Sequence, residues 1–214
     1  MRAAIFDLDG TLLDSLPLWY RLPYQFLETH NVKVNHEIHK ELASFNLAEA
    51  IAYLAKKYSL QGQLADMVME CKNMIREAYY YTLPLVPYVY EYLSFLQSKK
   101  IPMCVVTATD YQLSMACLKR NQINSFFSFV LTEEDFGKSK SYPDIYTEAA
   151  KRMKIKPQDC VVFEDAIYAM DSASKAGCKV WGMQPSTKEI DPAVLSHCDN
   201  CYHGFQALYE QKIL

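Results

Sequence analysis

Glycine is scarce in this chain: six residues in 214, where average usage would supply roughly 15. No Gly-rich or Pro-rich linker, low-complexity tract or internal repeat is present, which excludes fibrous and solenoid architectures. A basic surplus is also missing. The net charge is −3, so no electrostatic footprint for nucleic acid exists. No apolar run approaches the roughly 20 residues needed to span a bilayer. The chain opens on a strand-like run instead of a basic and then apolar leader, and the expectation is a cytoplasmic protein with no membrane contact. A disulfide framework is lacking as well. The seven cysteines (71, 104, 117, 160, 178, 198 and 201) are odd in number, and Cys104, Cys160 and Cys178 lie in or beside apolar runs, as reduced buried thiols do. Cys198 and Cys201 form a CxxC flanked by His197 and His203. Without a second distant pair this reads as packing ahead of a zinc site.

What is present is a rhythm. Five short apolar runs recur at Ala3–Phe6, Met103–Val106, Phe129–Leu131, Cys160–Phe163 and Lys179–Gly182. The first, second and fourth are apolar almost throughout, as in strands covered on both faces of a parallel sheet. Helical patterns fall between them at Tyr88–Lys99, Tyr111–Asn121, Pro143–Met153 and Ala166–Ala176. This alternation predicts an α/β fold with a doubly wound, Rossmann-like parallel sheet. Between Asp14 and Pro84 the rhythm stops. Only helical patterns occur there, at Leu18–His30, Ile38–Ala43, Leu47–Tyr58 and Gln63–Thr82. The expected organisation is a discontinuous core of residues 1–14 and 85–214 with an all-helical domain, 15–84, inserted over the carboxyl ends of the strands. The run Tyr79-Tyr80-Tyr81 in that insert reads as packing ahead of a substrate wall.

The strand ends carry the chemistry. In "FDLDGTLLDS" two carboxylates, Asp7 and Asp9, follow the first run. Like charges 4 Å apart repel by about 4 kcal/mol at an effective dielectric near 20. The second run ends in Thr107, in "VVTATD", and the fourth in Glu164 and Asp165, in "VVFEDA". Parallel strands deliver all these residues to one side of the sheet. Four converging carboxylates must take up protons or share a cation, and hard oxygen donors without neighbouring His or Cys select Mg²⁺. Thr107 precedes Ala108 and Thr109 at the expected start of a helix, where Asp110 is the expected N-cap. With Lys140 of "GKSKSYPD" they make a phosphate site beside a magnesium site.

"FDLDGTLLDS", "VVTATD", "KSYPDIY" and "FEDA" resemble, in order, the four motifs of the haloacid dehalogenase superfamily. The helical insert resembles the cap of its phosphoglucomutase-like and phosphoglycolate-phosphatase-like members. The resemblance implies that Asp7 is the nucleophile and Asp9 the general acid and base. It implies Mg²⁺ on Asp7, the Asp9 carbonyl and Asp165, with Glu164 in the shell directly or through water. It also implies that Thr107, the Ala108 N–H and Lys140 stabilise the transferring phosphoryl, and that Gly10 allows close approach of the backbone. Lys138 competes with Lys140, which fits the family's Lys-x-x-Pro-Asp spacing; Lys138 is expected in solvent.

The expected activity is a Mg²⁺-dependent phosphatase for a small phosphorylated metabolite: a sugar phosphate, phosphoglycolate or a nucleotide. Among cap residues, Trp19, Arg21, Asn46 and Arg76 are specificity candidates by residue type. A phosphoglucomutase-type isomerase would use the same core. Against it, Asp110 and Trp19 stand where mutases carry Lys and His, and Ser44–Glu49 has no Arg. After the fourth motif, Ala169 and Met170 replace a Gly-containing turn, a packing change. The pattern is also compatible with a non-catalytic protein binding a phosphate ligand or partner. A dehalogenase would not need the acid pair Glu164-Asp165, which argues against it. Oligomeric state is left open, with a monomer favoured.

Overall fold

The computed structural model describes residues 1–34, 37–42, 45–185 and 190–214, the Lys40 side chain excepted. Ala43, the expected end of one helix, and Ser44, the first residue of the Ser44–Glu49 stretch, lie outside the described residues. The chain divides into two compact units, residues 1–14 with 83–214 and residues 15–82.

The first unit is built on six parallel strands: β1 (Ala3–Phe6), β2 (Met103–Thr107), β3 (Val130–Thr132), β4 (Cys160–Glu164), β5 (Lys179–Gln184) and β6 (Asn200–His203). Their order is β3-β2-β1-β4-β5-β6. The chain therefore steps outward from β1 on one side, returns, and steps outward from β4 on the other, a doubly wound Rossmann-like topology with its switch point between β1 and β4. The cause is visible in β1, whose four residues are fully buried. Alternate residues serve opposite faces. One face joins Ala3, Ile5, Cys104, Val162 and Val180 to Ile145, Ala149, Ala150, Met170 and Ala173. On the other, Phe6 stacks on Phe163 with ring centroids 4.4 Å apart, and Tyr92, Trp181 and Phe205 pack around Phe163. Such an aromatic pair adds about 0.5–1.5 kcal/mol beyond its buried area.

Numbering helices along the whole chain, the second unit holds α1 (Leu16–Thr29), α2 (Ile38–Leu42), α3 (Leu47–Lys57) and α4 (Leu64–Glu77). The first holds α5 (Val89–Ser98), α6 (Tyr111–Arg120), α7 (Glu133–Phe136), α8 (Asp144–Arg152), α9 (Ile167–Lys175), α10 (Pro192–Leu195) and α11 (Gln206–Glu210). Ala169 and Met170 sit fully buried in α9. The second unit has its own core of Phe26, Leu27, Ile38, Ile51, Leu54, Met67 and Cys71. The helix expected over Gln63–Thr82 is two elements, because the last turn, Ala78–Thr82, widens into a π-helix. The tyrosine run divides accordingly. Tyr79 is fully buried while Tyr81 is 73% exposed.

β6 is a strand that the apolar-run reading misses. It is an edge strand with half-exposed residues, so it needs no continuous apolar stretch. It also accounts for the CxxC. A Cβ at Gly182 would lie 3.1 Å from Cys198 Sγ and 3.4 Å from Cys201 Sγ, so both thiols pack into the space that this glycine leaves. His197 Nδ1 pairs with Asp171 at 2.5 Å, and the His203 ring faces the Pro185 carbonyl. Five of the seven thiols are buried. No described helix is long and apolar enough to cross a membrane.

Candidate active site

The sheet register brings the polar centre together. Phe6 lies beside Phe163, and the Asp7 N–H continues the ladder by donating to the Phe163 carbonyl at 2.9 Å. The next residues, Asp7 and Glu164, therefore emerge side by side at the switch point. Asp165 follows, and carboxylate oxygens of Asp7, Glu164 and Asp165 all lie within 4.8 Å of one another. Into this cluster reaches Lys140, 2% exposed, with Nζ 2.5 Å from Asp7 Oδ1 and 2.7 Å from Glu164 Oε2. Lys138 instead pairs with Asp144 at the surface.

Three carboxylates facing one ammonium leave a surplus of negative charge. Burial, then the charge of Glu164, pushes Asp7 up from 3.8 to about 8, with Lys140 pulling the other way. Burial, then the charges of Asp7 and Glu164, likewise raises Asp165 well above its ordinary value. Burial works against the Lys140 ammonium, but the neighbouring charges of Asp7 and Glu164 hold it protonated. The orphan in the network is Asp7 Oδ2, buried without a hydrogen-bond partner. Leaving such an atom unmet costs roughly 1–3 kcal/mol or more, so the arrangement suits an added cation. An all-oxygen set suits Mg²⁺.

Glu164 is the most committed member. Its Oε1 accepts the backbone N–H groups of Asp165 and Ala166, both at 3.2 Å, while Oε2 meets Lys140 and the Tyr146 hydroxyl. Asp9 stands apart from the trio; its Oδ2 accepts the Thr109 hydroxyl at 2.7 Å. The segment Thr107–Thr109 is strand end and loop, since α6 begins only at Tyr111. Thr107 is buried and its Oγ1 accepts the Thr109 N–H at 3.0 Å, while Ala108 is exposed. Asp110 caps α6 by accepting the Leu113 N–H.

Some contributors escape sequence reasoning. Glu133 Oε1 accepts both the Lys140 N–H at 2.6 Å and the Ser139 hydroxyl at 3.0 Å, holding the loop that carries the lysine. Its only sequence signal is an acid at a helix start. Conversely, Asn46 has a structural task. Its side chain caps α3 in a reciprocal box with Glu49. Trp19, Arg21 and Arg76 are exposed in the helical unit, where Arg21 lines a cavity of about 550 Å³ with Tyr20, Tyr24 and Gln25.

Gly10 sits at φ +81°, and a Cβ there would lie 2.2 Å from Asp165 Oδ2. Gly10→Ala must therefore displace Asp165 and adopt a backbone conformation costing about 1–2 kcal/mol. It is expected to lower the melting temperature by about 2–8 °C, read in a thermal melt. An unchanged melting temperature would show that the loop is not packed this closely.

A doubly wound parallel sheet with a lysine-bridged acid cluster at its switch point defines an α/β protein whose polar centre lies where such sheets take their ligands. The chain belongs to the haloacid dehalogenase-like hydrolases, whose family model matches residues 4–183. It is 30% identical over 195 residues to hexitol phosphatase A of Escherichia coli K12, covering 87% of each chain. It is 24% identical over 190 residues to a phosphorylated carbohydrates phosphatase of Thermotoga maritima, covering 88% of each. Its fold matches that of a provisionally assigned β-phosphoglucomutase from Thermotoga maritima, with a TM-score of 0.90, 22% identity and full coverage of both chains.

Proposed function

We propose that this chain is a Mg²⁺-dependent phosphatase of small phosphorylated carbohydrates that works through an aspartyl-phosphate on Asp7, with the helical unit as its cap. The observation that carries the reading is Asp7 itself: one carboxylate oxygen held by a buried lysine at 2.5 Å, the other buried and unpartnered. Relatives that act on hexitol phosphates and phosphorylated carbohydrates support the substrate class. The absence of the mutase Lys and His, with Asp110 and Trp19 in their places, favours hydrolysis over isomerisation.

In this reading the Asp7 carboxylate attacks phosphorus as the bond to the sugar oxygen breaks. Asp9 passes a proton to that leaving oxygen, then removes one from the water that attacks the aspartyl-phosphate and releases inorganic phosphate. Thr107 accepts the Thr109 N–H, which leaves its own hydroxyl proton to donate to a phosphoryl oxygen. Lys140 and the Ala108 N–H supply further positive potential where charge develops. Asp7, the Asp9 carbonyl and Asp165 would hold the metal, and Glu164 acts by fixing Lys140. Mg²⁺ bound there supplies the positive charge that the three carboxylates lack and polarises the phosphoryl group.

The test is phosphate release from hexitol phosphates, sugar phosphates, phosphoglycolate, nucleotides and an aryl phosphate, each with Mg²⁺ and with EDTA. Metal-dependent release, fastest on a phosphorylated carbohydrate, is the expected result. Equal rates in EDTA would remove the metal from the reading. Absence of release from every compound would sink the phosphatase.

A further inference from the structure

Asp9 is the strand-end acid outside the Asp7, Glu164 and Asp165 cluster. Its Oδ2 accepts the Thr109 hydroxyl at 2.7 Å across a separation of 100 residues, from the loop after β1 to the loop after β2. Thr109 is itself held in place by hydrogen bonds. Its N–H donates to Thr107 Oγ1 at 3.0 Å, its carbonyl accepts the Ser114 hydroxyl at 3.3 Å, and its own hydroxyl is spent on Asp9. Thr107 and Ser114 are both buried. The following residue, Asp110, is tied to the start of α6.

We propose that Thr109 is the positioning residue of the proton-transferring acid: its hydroxyl pins Asp9 Oδ2, so that the proton given to the leaving group rides on Oδ1. This rests on Asp9 being the general acid, as read above. As the Asp7–phosphorus bond forms and the bond to the sugar oxygen breaks, the Oδ1 proton moves to that oxygen and Asp9 is left ionised, its Oδ2 still accepting from Thr109. Proton transfer demands heavy-atom approach of about 2.6–3.2 Å, and misplacement of about 1 Å costs on the order of 100-fold. A freely rotating Asp9 would meet that demand only part of the time.

A general acid matters only where the leaving oxygen needs a proton. An alkoxide does; p-nitrophenolate leaves well without one. The experiment compares kcat/KM, which reports the first phosphoryl transfer, for the best sugar phosphate of the panel and for p-nitrophenyl phosphate. The variants are Thr109→Val, Thr109→Ser and Asp9→Asn. Thr109→Val is expected to lose at least about tenfold on the sugar phosphate and less than about threefold on the aryl phosphate, with Thr109→Ser close to wild type on both. Equal losses on the two substrates would mark a structural role and overturn the proposal, as would no loss on either. Thr109→Ala serves the same comparison if the valine variant does not fold. Asp9→Asn separates the two readings. If it spares the sugar phosphate, the assignment of Asp9 is wrong. If it is selectively defective while Thr109→Val is not, only the role of Thr109 fails.

Discussion

Asp7→Asn is expected to abolish phosphate release, by a factor of about 10⁴ or more, the scale on which loss of a nucleophile falls, without unfolding the protein. The substitution is isosteric, and the first unit retains its sheet because the Asp7 backbone N–H, not its side chain, pairs with Phe163. Electrostatics favours the variant. Asp7 is forced up to about 8 by burial and by Glu164, so a neutral amide removes one of three crowded carboxylates. Lys140 keeps a partner in Glu164 at 2.7 Å. The melting temperature in EDTA should consequently hold or rise while turnover disappears. Thermal melts and phosphate release on the same preparation read both quantities. Residual turnover above a few per cent would place the nucleophile elsewhere, whereas a collapsed melting temperature would make Asp7 a structural acid.

Lys140→Met should have the opposite signature: lost activity together with lost stability. The ammonium is 2% exposed and touches two carboxylates. Methionine fills much the same volume without charge. Removing one partner of a buried ion pair costs about 3–5 kcal/mol, because the charges left behind stay desolvated and unpaired. For a chain of this size that corresponds to a fall in melting temperature of roughly 6–20 °C. The remedy should be specific. Adding Glu164→Gln to Lys140→Met removes an unpaired charge and should recover part of the loss, and Mg²⁺ should raise the melting temperature of the single variant more than that of wild type. Denaturant and thermal unfolding of wild type, Lys140→Met, Glu164→Gln and the double variant in EDTA measure the coupling. A single variant as stable as wild type would mean that Lys140 does not neutralise the cluster.

Legibility followed the physics of each element. The runs over Ala3–Phe6, Met103–Val106 and Cys160–Phe163 were readable because strands covered on both faces must be apolar throughout. The strand Asn200–His203 was not, because an edge strand exposes half its residues and leaves only a CxxC to catch the eye. The run beginning at Phe129 supplied a strand that starts one residue later, at Val130. Asp7, Glu164 and Asp165 announced themselves because carboxylates at the ends of parallel strands share one side of a sheet. Motif spacing alone favours Lys140 over Lys138. Its burial against Asp7 depends on how the loop before α8 packs onto the sheet.

Local pattern and period are enough for the class: strand-helix alternation, a helical interruption after the first strand, and acids at the strand ends. Which oxygen meets which donor is left to the folded arrangement. It commits both oxygens of Glu164, leaves Asp7 Oδ2 bare, and ties Asp9 to Thr109 a hundred residues away. Hydrogen bonds act over about 3 Å, and such distances between remote segments are set by sheet register and loop packing, which no local pattern encodes.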